Sequence, residues 1–218
     1  YKDQDGIVKG SNSRNFGGRF NFESMASDKL KFGMNMDASS RTANNKDNMI
    51  STLINMRPDY PAYNEDGSIN TIDYYTKNPL IEWKNLNHST SRNINASAFL
   101  EYNIFKFLKF RTTLNAQYGN VKSESFSRRS YDGANNSGSQ RDAQNYTMVW
   151  DNLLTFYKTM RKHDVQAMLG HSVEHVSSDY MSAGGTNFPD DDILTNLGSA
   201  ANRTSMNSNK TACSLVSV

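Results

Sequence analysis

Long apolar runs, cysteine pairs and charge imbalance are all missing from this sequence of 218 residues. No stretch of about 18 consecutive apolar residues occurs, which excludes a transmembrane helix. A single cysteine, Cys213, excludes an internal disulfide framework. The net charge of +2 excludes a strongly basic surface, so we expect no nucleic-acid partner. The hydrophobic content of 36% and the mean hydropathy of -0.73 are low for a folded core of this size.

Proline is also scarce, and its positions are informative. All four prolines lie between segments in which apolar and polar residues alternate, as the hydrogen-bonded ladder of a sheet requires. In one such segment Leu30, Phe32 and Met34 share one face, while Lys31 and Asn35 share the other. The pattern predicts an all-β, antiparallel fold. The predicted strands cover residues 15–25, 30–39, 93–104, 108–120, 146–157, 163–176 and 211–218.

The connections between these strands are alternately short and long. Short turns lie at 26–29, 105–107 and 158–162, whereas long polar loops occupy 40–91, 121–144 and 177–210. Outer-membrane β-barrels have short turns on one side of the membrane and long loops on the other. The first six strands have about 10–13 residues, and a tilted strand needs ~9–11 to cross the hydrocarbon. We therefore predict that residues 1–218 form part of one transmembrane β-barrel domain with long extracellular loops.

One face of each of the first six predicted strands carries no Asp, Glu, Lys or Arg, although these residues are plentiful one position away. A Lys or Arg at the middle of a bilayer costs about 2–4 kcal/mol, so a lipid-facing surface excludes them. Aromatic residues gather near the strand ends, as in the interfacial girdles of membrane proteins. The predicted lipid-facing residues are Phe20, Phe32, Met34, Leu100, Phe110, Leu114, Trp150 and Leu154.

Alternation by itself does not distinguish lipid from a protein core. A soluble sandwich also has an apolar inner face and a polar outer face. The alternative interpretation is therefore a secreted or surface-attached β-rich binding module. Burial of the apolar faces under a second sheet or a helix would favour that alternative.

No grouping of residues predicts catalysis. A Ser-His-Asp or Cys-His arrangement, a glycine-rich phosphate loop and a pair of catalytic carboxylates are all missing, so we predict that the protein is not an enzyme and binds no cofactor. Asp190, Asp191 and Asp192 are a weak candidate for a calcium site, because hard cations bind carboxylate oxygens. The run lacks the spacing of an EF-hand, and a solvated charged loop is the alternative interpretation.

A second loop combines charges with aromatic rings. Phe126, Arg128, Arg129 and Tyr131 are candidates for contact with a substrate or with a lid protein, because aromatic residues with polar neighbours can stack on sugar rings or grip peptides. The alternative is an ordinary exposed loop. Glu124 and Asp132 belong to the same charged stretch.

Several short patterns, each weak alone, occur in a particular order along nearly the whole sequence. They include Arg19-Phe20-Asn21, Pro61-Ala62-Tyr63-Asn64-Glu65-Asp66-Gly67, Asn78-Pro79-Leu80, Leu108-Lys109-Phe110-Arg111, Trp150-Asp151-Asn152 and Phe188-Pro189-Asp190. In the order of these pieces, the sequence resembles the barrel of the SusC/RagA-like TonB-dependent transporters of Gram-negative outer membranes.

The resemblance implies a fragment of a roughly 22-stranded, multi-pass barrel in the outer membrane, in contact with its lipid. It implies import of nutrients such as oligosaccharides or peptides, that is, a glycan or peptide substrate. It also implies a SusD-like surface lipoprotein over the extracellular mouth. The TonB complex would act through parts that this sequence does not contain, such as the plug domain. The odd number of predicted strands and the strand-like stretch at Val218 agree with the expectation of a fragment.

Overall fold

The computed structural model describes residues 1–46, 48–71, 78–131, 133–161 and 163–217. Asp132, Lys162 and Val218, which the sequence analysis placed in a charged loop, a turn and a strand, lie outside the described residues. In the described part of the chain, no helix is both long and apolar enough to cross a membrane.

The elements are β1 (Lys2–Asp5), β2 (Asn12–Ser27), β3 (Leu30–Asn44), α1 (Asn48–Asn55), α2 (Pro79–Lys84), β4 (Leu86–Phe105), β5 (Leu108–Ser127), β6 (Ser137–Met160), β7 (His163–Thr186), a 3-10 helix (Leu197–Ser199) and β8 (Asn202–Ser217).

The strands form one antiparallel sheet in which each strand pairs with its neighbours along the chain, in the order β1 to β8. This confirms the predicted all-β, antiparallel fold. The register brings the apolar faces of successive strands together. Met34 lies opposite Phe22 and Ala98, and Leu114 lies opposite Ala98 and Trp150. Because directly opposed residues point to the same side of a sheet, the separate apolar faces merge into one surface.

The strands extend further towards the long loops than alternation indicates. β4 begins at Leu86 rather than at residue 93, and β6 begins at Ser137 rather than at residue 146. The short strand β1 pairs with β2 and was not predicted. In these extensions polar residues occupy both faces, and the period-two pattern of apolar residues therefore ends. The hydrogen bonds between the strands nevertheless continue.

The merged apolar surface has no second layer over it in the described part of the chain. Phe20, Met34, Leu100 and Leu114 remain 56%, 41%, 39% and 45% exposed. The buried apolar side chains lie elsewhere, at the long-loop end of the sheet: Ala43, Ile81, Phe126 and Phe188. This distribution opposes the soluble sandwich, whose apolar face would form its core.

The first long loop folds back over itself around a buried amide. Asn78 has no exposed surface, and its side chain accepts a hydrogen bond from Leu80 N at 3.0 Å, which caps the start of α2. The same side chain donates to Ala62 O and Asn70 O, both at 2.9 Å. These bonds hold the turn around Gly67 against α2.

Candidate functional site

The sheet presents an outward apolar band that we call the belt. It begins at the row where Leu108 lies opposite Phe156 and ends at the row where Tyr118 lies opposite Tyr146. Ten residues of β5 separate these rows, and at about 3.4 Å per residue with a ~45° tilt they rise ~24 Å. The apolar band of an outer-membrane barrel is about 25 Å tall, so the belt has the height of the hydrocarbon layer.

The predicted lipid-facing residues all lie in this belt. Phe110 and Leu154 are half-buried against each other across the β5–β6 pair, whereas Trp150 is 47% exposed. The indole Nε1 of Trp150 donates to Thr112 Oγ1 at 2.9 Å, so its polar atom finds a partner within the sheet. In β2 to β8 as described, no Asp, Glu, Lys or Arg points outward between the two boundary rows.

The opposite, inward face is polar along the same rows. Arg19 pairs with Asp37 at 3.4 Å, and Lys109 pairs with Glu101 at 2.9 Å. Ser97 Oγ donates to Asn115 Oδ1 at 2.7 Å. Exposed ion pairs of this kind contribute about 0–1 kcal/mol, so their importance here is to keep the surface wettable rather than to stabilise it.

Beyond Tyr118 and Tyr146 lies a second region, the crown, which consists of the strand extensions and the three long loops. Its centre is a cluster that we call the loop core: Phe126, Asn136, Gly138 and Phe188. Phe126 and Phe188 are 3% and 1% exposed and meet edge to face with ring centroids 5.1 Å apart. A Cβ on Gly138 would lie 2.9 Å from the Phe188 ring, so glycine allows the close approach.

Asn136 fastens the second and third long loops to each other. It is fully buried; its Oδ1 accepts from Phe188 N at 2.6 Å, and its Nδ2 donates to Phe188 O at 3.2 Å and to Asp191 Oδ1 at 2.7 Å. Nδ2 also lies 3.3 Å from Asp190 O. A buried amide that satisfies both of its polar atoms in this way fixes a single loop arrangement.

Arg128 connects these two loops to the first. Its backbone N–H donates to Asn85 Oδ1 at 2.9 Å, its Nε donates to Lys84 O at 3.2 Å, and its Nη1 pairs with Asp192 Oδ1 at 2.7 Å. Lys46 donates from Nζ to the backbone carbonyl of the same Asn85. Burial, together with the nearby charge of Arg128, lowers the pKa of Lys46. All three long loops therefore meet at one point.

The four predicted contact residues occupy this same region. Phe126 is buried in the loop core, a position that leaves it little surface for a substrate or a lid. Arg129 donates from Nη2 to Phe188 O at 2.7 Å, and Tyr131 is half-buried nearby. The contact role of Phe126, Arg128, Arg129 and Tyr131 stays a prediction.

The three aspartates of the calcium candidate point to separate partners. Asp190 Oδ1 accepts from the backbone N–H groups of Ile193 and Asp192, both at 2.7 Å, and these bonds lower the pKa of its carboxyl group. Asp191 accepts from Asn136 and Asp192 pairs with Arg128. Within the described ranges, no three His, Cys, Asp or Glu side chains are placed to hold a metal. Asp190 thus closes a turn within the third loop, while Asp191 and Asp192 join that loop to the second.

Sequence reasoning missed Asn136. It stands beside Asn135 and before Ser137 in a stretch that looks like any polar loop. Its partner Phe188 is 52 residues away, and nothing local indicates that pairing.

Comparisons with known proteins agree with this geometry. No protein-family model matches the chain. The TonB-dependent receptor P26 of Formosa agariphila is 29% identical over 200 residues, which cover 84% of this chain and 20% of that protein. In sequence, this chain is therefore similar to a TonB-dependent receptor. The predicted resemblance is thereby confirmed.

Solved structures share the fold of this chain. A structure of the RagAB peptide transporter matches with a TM-score of 0.74 at 18% identity, over 94% of this chain and 25% of that one. The RagAB peptide importer in an open-open state matches with a TM-score of 0.75 at 18% identity, over 98% of this chain and 26% of that one. The chain thus spans about a fifth to a quarter of the length of the proteins it matches.

Proposed function

We propose that this chain supplies part of the wall and the extracellular loops of a TonB-dependent transporter in the outer membrane of a Gram-negative bacterium. The carrying observation is the belt, which is exposed, free of charged residues on its outward face and ~24 Å tall. A soluble protein that left such a surface uncovered would aggregate. In lipid the same surface is the ordinary exterior of a barrel.

The orientation follows from the connections. Outer-membrane barrels place short turns in the periplasm and long loops outside the cell. The short turns after β2, β4 and β6 would therefore face the periplasm, and the crown would face the medium. Each of β2 to β8 would cross the membrane, which makes the chain multi-pass.

The cargo we propose is a nutrient such as an oligosaccharide or a peptide. The inward face offers amides, hydroxyls and ion pairs, including Asn35, Ser97 and Asn115 around a shallow depression. Such groups exchange hydrogen bonds readily with the polar backbone of either cargo. The similar RagAB structures are of a peptide transporter and importer, which favours a peptide among these.

Two partners complete the proposal. A SusD-like surface lipoprotein would cap the crown, whose three loops are fastened together at Arg128 and so present one continuous surface. The TonB complex would act from the periplasm through parts of the protein outside this chain.

The test compares two neighbouring residues of β3 in the full-length protein. Met34 faces outward near mid-belt, while Asn35 faces inward. Met34→Arg should reduce the folded, membrane-inserted yield strongly, because Arg at the middle of a bilayer costs about 2–4 kcal/mol. Asn35→Arg, the matched control, should assemble nearly as well as wild type. Heat-modified gel mobility of outer-membrane fractions measures both, and equal yields would contradict the proposed topology.

A further inference from the structure

The outward face changes character immediately beyond the belt. Tyr118 and Tyr146 form the last aromatic row, and Ile94 lies opposite Tyr118. Two residues further along β4, on the same face, stands Arg92, opposite Asn120. It is the first outward-pointing cation above the belt on β4 and β5.

Arg92 is exposed, and within the described part of the chain its guanidinium has no ion pair or hydrogen bond. The cation of the next row, Lys122, differs, because it pairs with Glu124 at 3.0 Å. Both side chains border one polar depression between β4, β5 and β6. Arg92 is therefore the cation of this depression that is available to a ligand.

The acidic groups of the depression are already engaged. Asp142 Oδ1 accepts from Asn120 Nδ2 at 2.7 Å. Glu124 accepts from Gln140 Nε2 at 3.0 Å in addition to its ion pair with Lys122. His88 and Thr90 complete the lining and add further polar groups. Lys122 thereby offsets the charge of Glu124, and neither carboxylate is paired with Arg92.

The height of Arg92 above the belt determines which part of a lipid molecule it would contact. Two residues of a strand tilted by ~45° rise about 5 Å. The polar headgroup region adds ~5–8 Å to each side of the hydrocarbon core. Arg92 consequently lies at the depth of lipid headgroups, and the fork of its guanidinium matches a phosphate with two parallel hydrogen bonds.

We propose that Arg92 binds the phosphate of a lipid headgroup in the outer leaflet, in the depression between β4, β5 and β6. The site depends on the proposed function, because headgroups occur at this height only if the belt spans a bilayer. Its role would be to fix the depth of this part of the wall in the membrane.

The test uses the full-length protein in detergent and native mass spectrometry with diphosphoryl lipid A. Arg92→Gln should lower the bound fraction about tenfold, the effect of losing a charge-assisted hydrogen bond. Arg41→Gln is the matched control. Arg41 is an exposed cation at similar height, but it lies opposite Ser91 on the inward face and donates to Ser13 Oγ at 3.0 Å. It should leave binding unchanged.

Four results would overturn the proposal. The first is equal lipid binding by Arg92→Gln and wild type, and the second is a loss of binding in Arg41→Gln equal to that in Arg92→Gln. The third is equal binding of enzymatically dephosphorylated lipid A, since the phosphate would then contribute nothing. The fourth is displacement of the lipid by equimolar inorganic phosphate, which would identify a site for the free anion. Heat-modified mobility of the same samples separates these failures from failure of the barrel itself.

Discussion

The belt and the crown are built from the same strands but differ in how apolar and polar side chains are distributed along them. In the belt, alternate side chains differ sharply, as Met34 and Asn35 show. In the crown, both faces of β4, β5 and β6 are polar, yet this is where Phe126, Asn136 and Phe188 are buried. The backbone ladder runs unbroken through both regions. The alternation of apolar and polar residues therefore depends on the surroundings of each face of the sheet. The strands themselves depend only on backbone hydrogen bonds.

The two regions should also fail in different ways. A charged substitution in the belt should affect insertion, because the proposed lipid surroundings make a buried charge costly. A fault in the loop core affects only the crown, because its contacts are between loops. The following variants test that separation in the full-length, membrane-inserted protein.

The largest effect in the crown is expected for Phe188→Ala. Removing a buried aromatic ring costs about 3–5 kcal/mol, and the cavity would lie against Phe126. Amide hydrogen exchange in residues 128–136 and 187–201 should accelerate strongly, while insertion stays normal. Tyr63→Ala, at a 56% exposed loop position, is the control and should change little. Loss of membrane insertion in Phe188→Ala would show that the regions are not separable.

A smaller effect is expected for Asn136→Leu. The substitution keeps the size but leaves the Phe188 N–H without its acceptor, and a buried unsatisfied group costs about 1–3 kcal/mol. Protease cleavage within residues 187–201 should become faster. Asn135→Leu provides the control, because Asn135 is exposed beside it. Similar cleavage rates for the two variants would contradict the fastening role of Asn136.

The smallest effect concerns pH. Asp190 has a lowered pKa in the folded loop, so its contribution is present above the ordinary value of 3.8 and is lost as the pH falls through the lower, folded value. Hydrogen exchange at Ile193 should therefore rise at acidic pH in wild type. In Asp190→Asn this rise in hydrogen exchange at acidic pH should be absent. An identical acid profile in both proteins would exclude Asp190 as its source.

The sequence predicts the belt well and the crown poorly, for a physical reason. In the proposed topology, lipid on one side and water on the other impose a period of two, so the positions of Met34, Leu114 and Trp150 can be read directly. Water on both sides of the crown imposes no period, so the extensions to Leu86 and Ser137 looked like loop. The burial of Phe126 could not be read from the sequence, because its partner Phe188 lies in another loop.

The central claim is that lipid contacts one face of the sheet only as far as the Tyr118–Tyr146 row. A spin-label scan along β5, from Leu108 to Ser127, in bilayers of the full-length protein tests it most directly. The account predicts high oxygen accessibility at alternate positions, with maxima at Phe110 and Leu114, and an end to this alternation beyond Tyr118. Oxygen maxima at Arg111 and Asn115, or alternation that continues unchanged to Phe126, would contradict it.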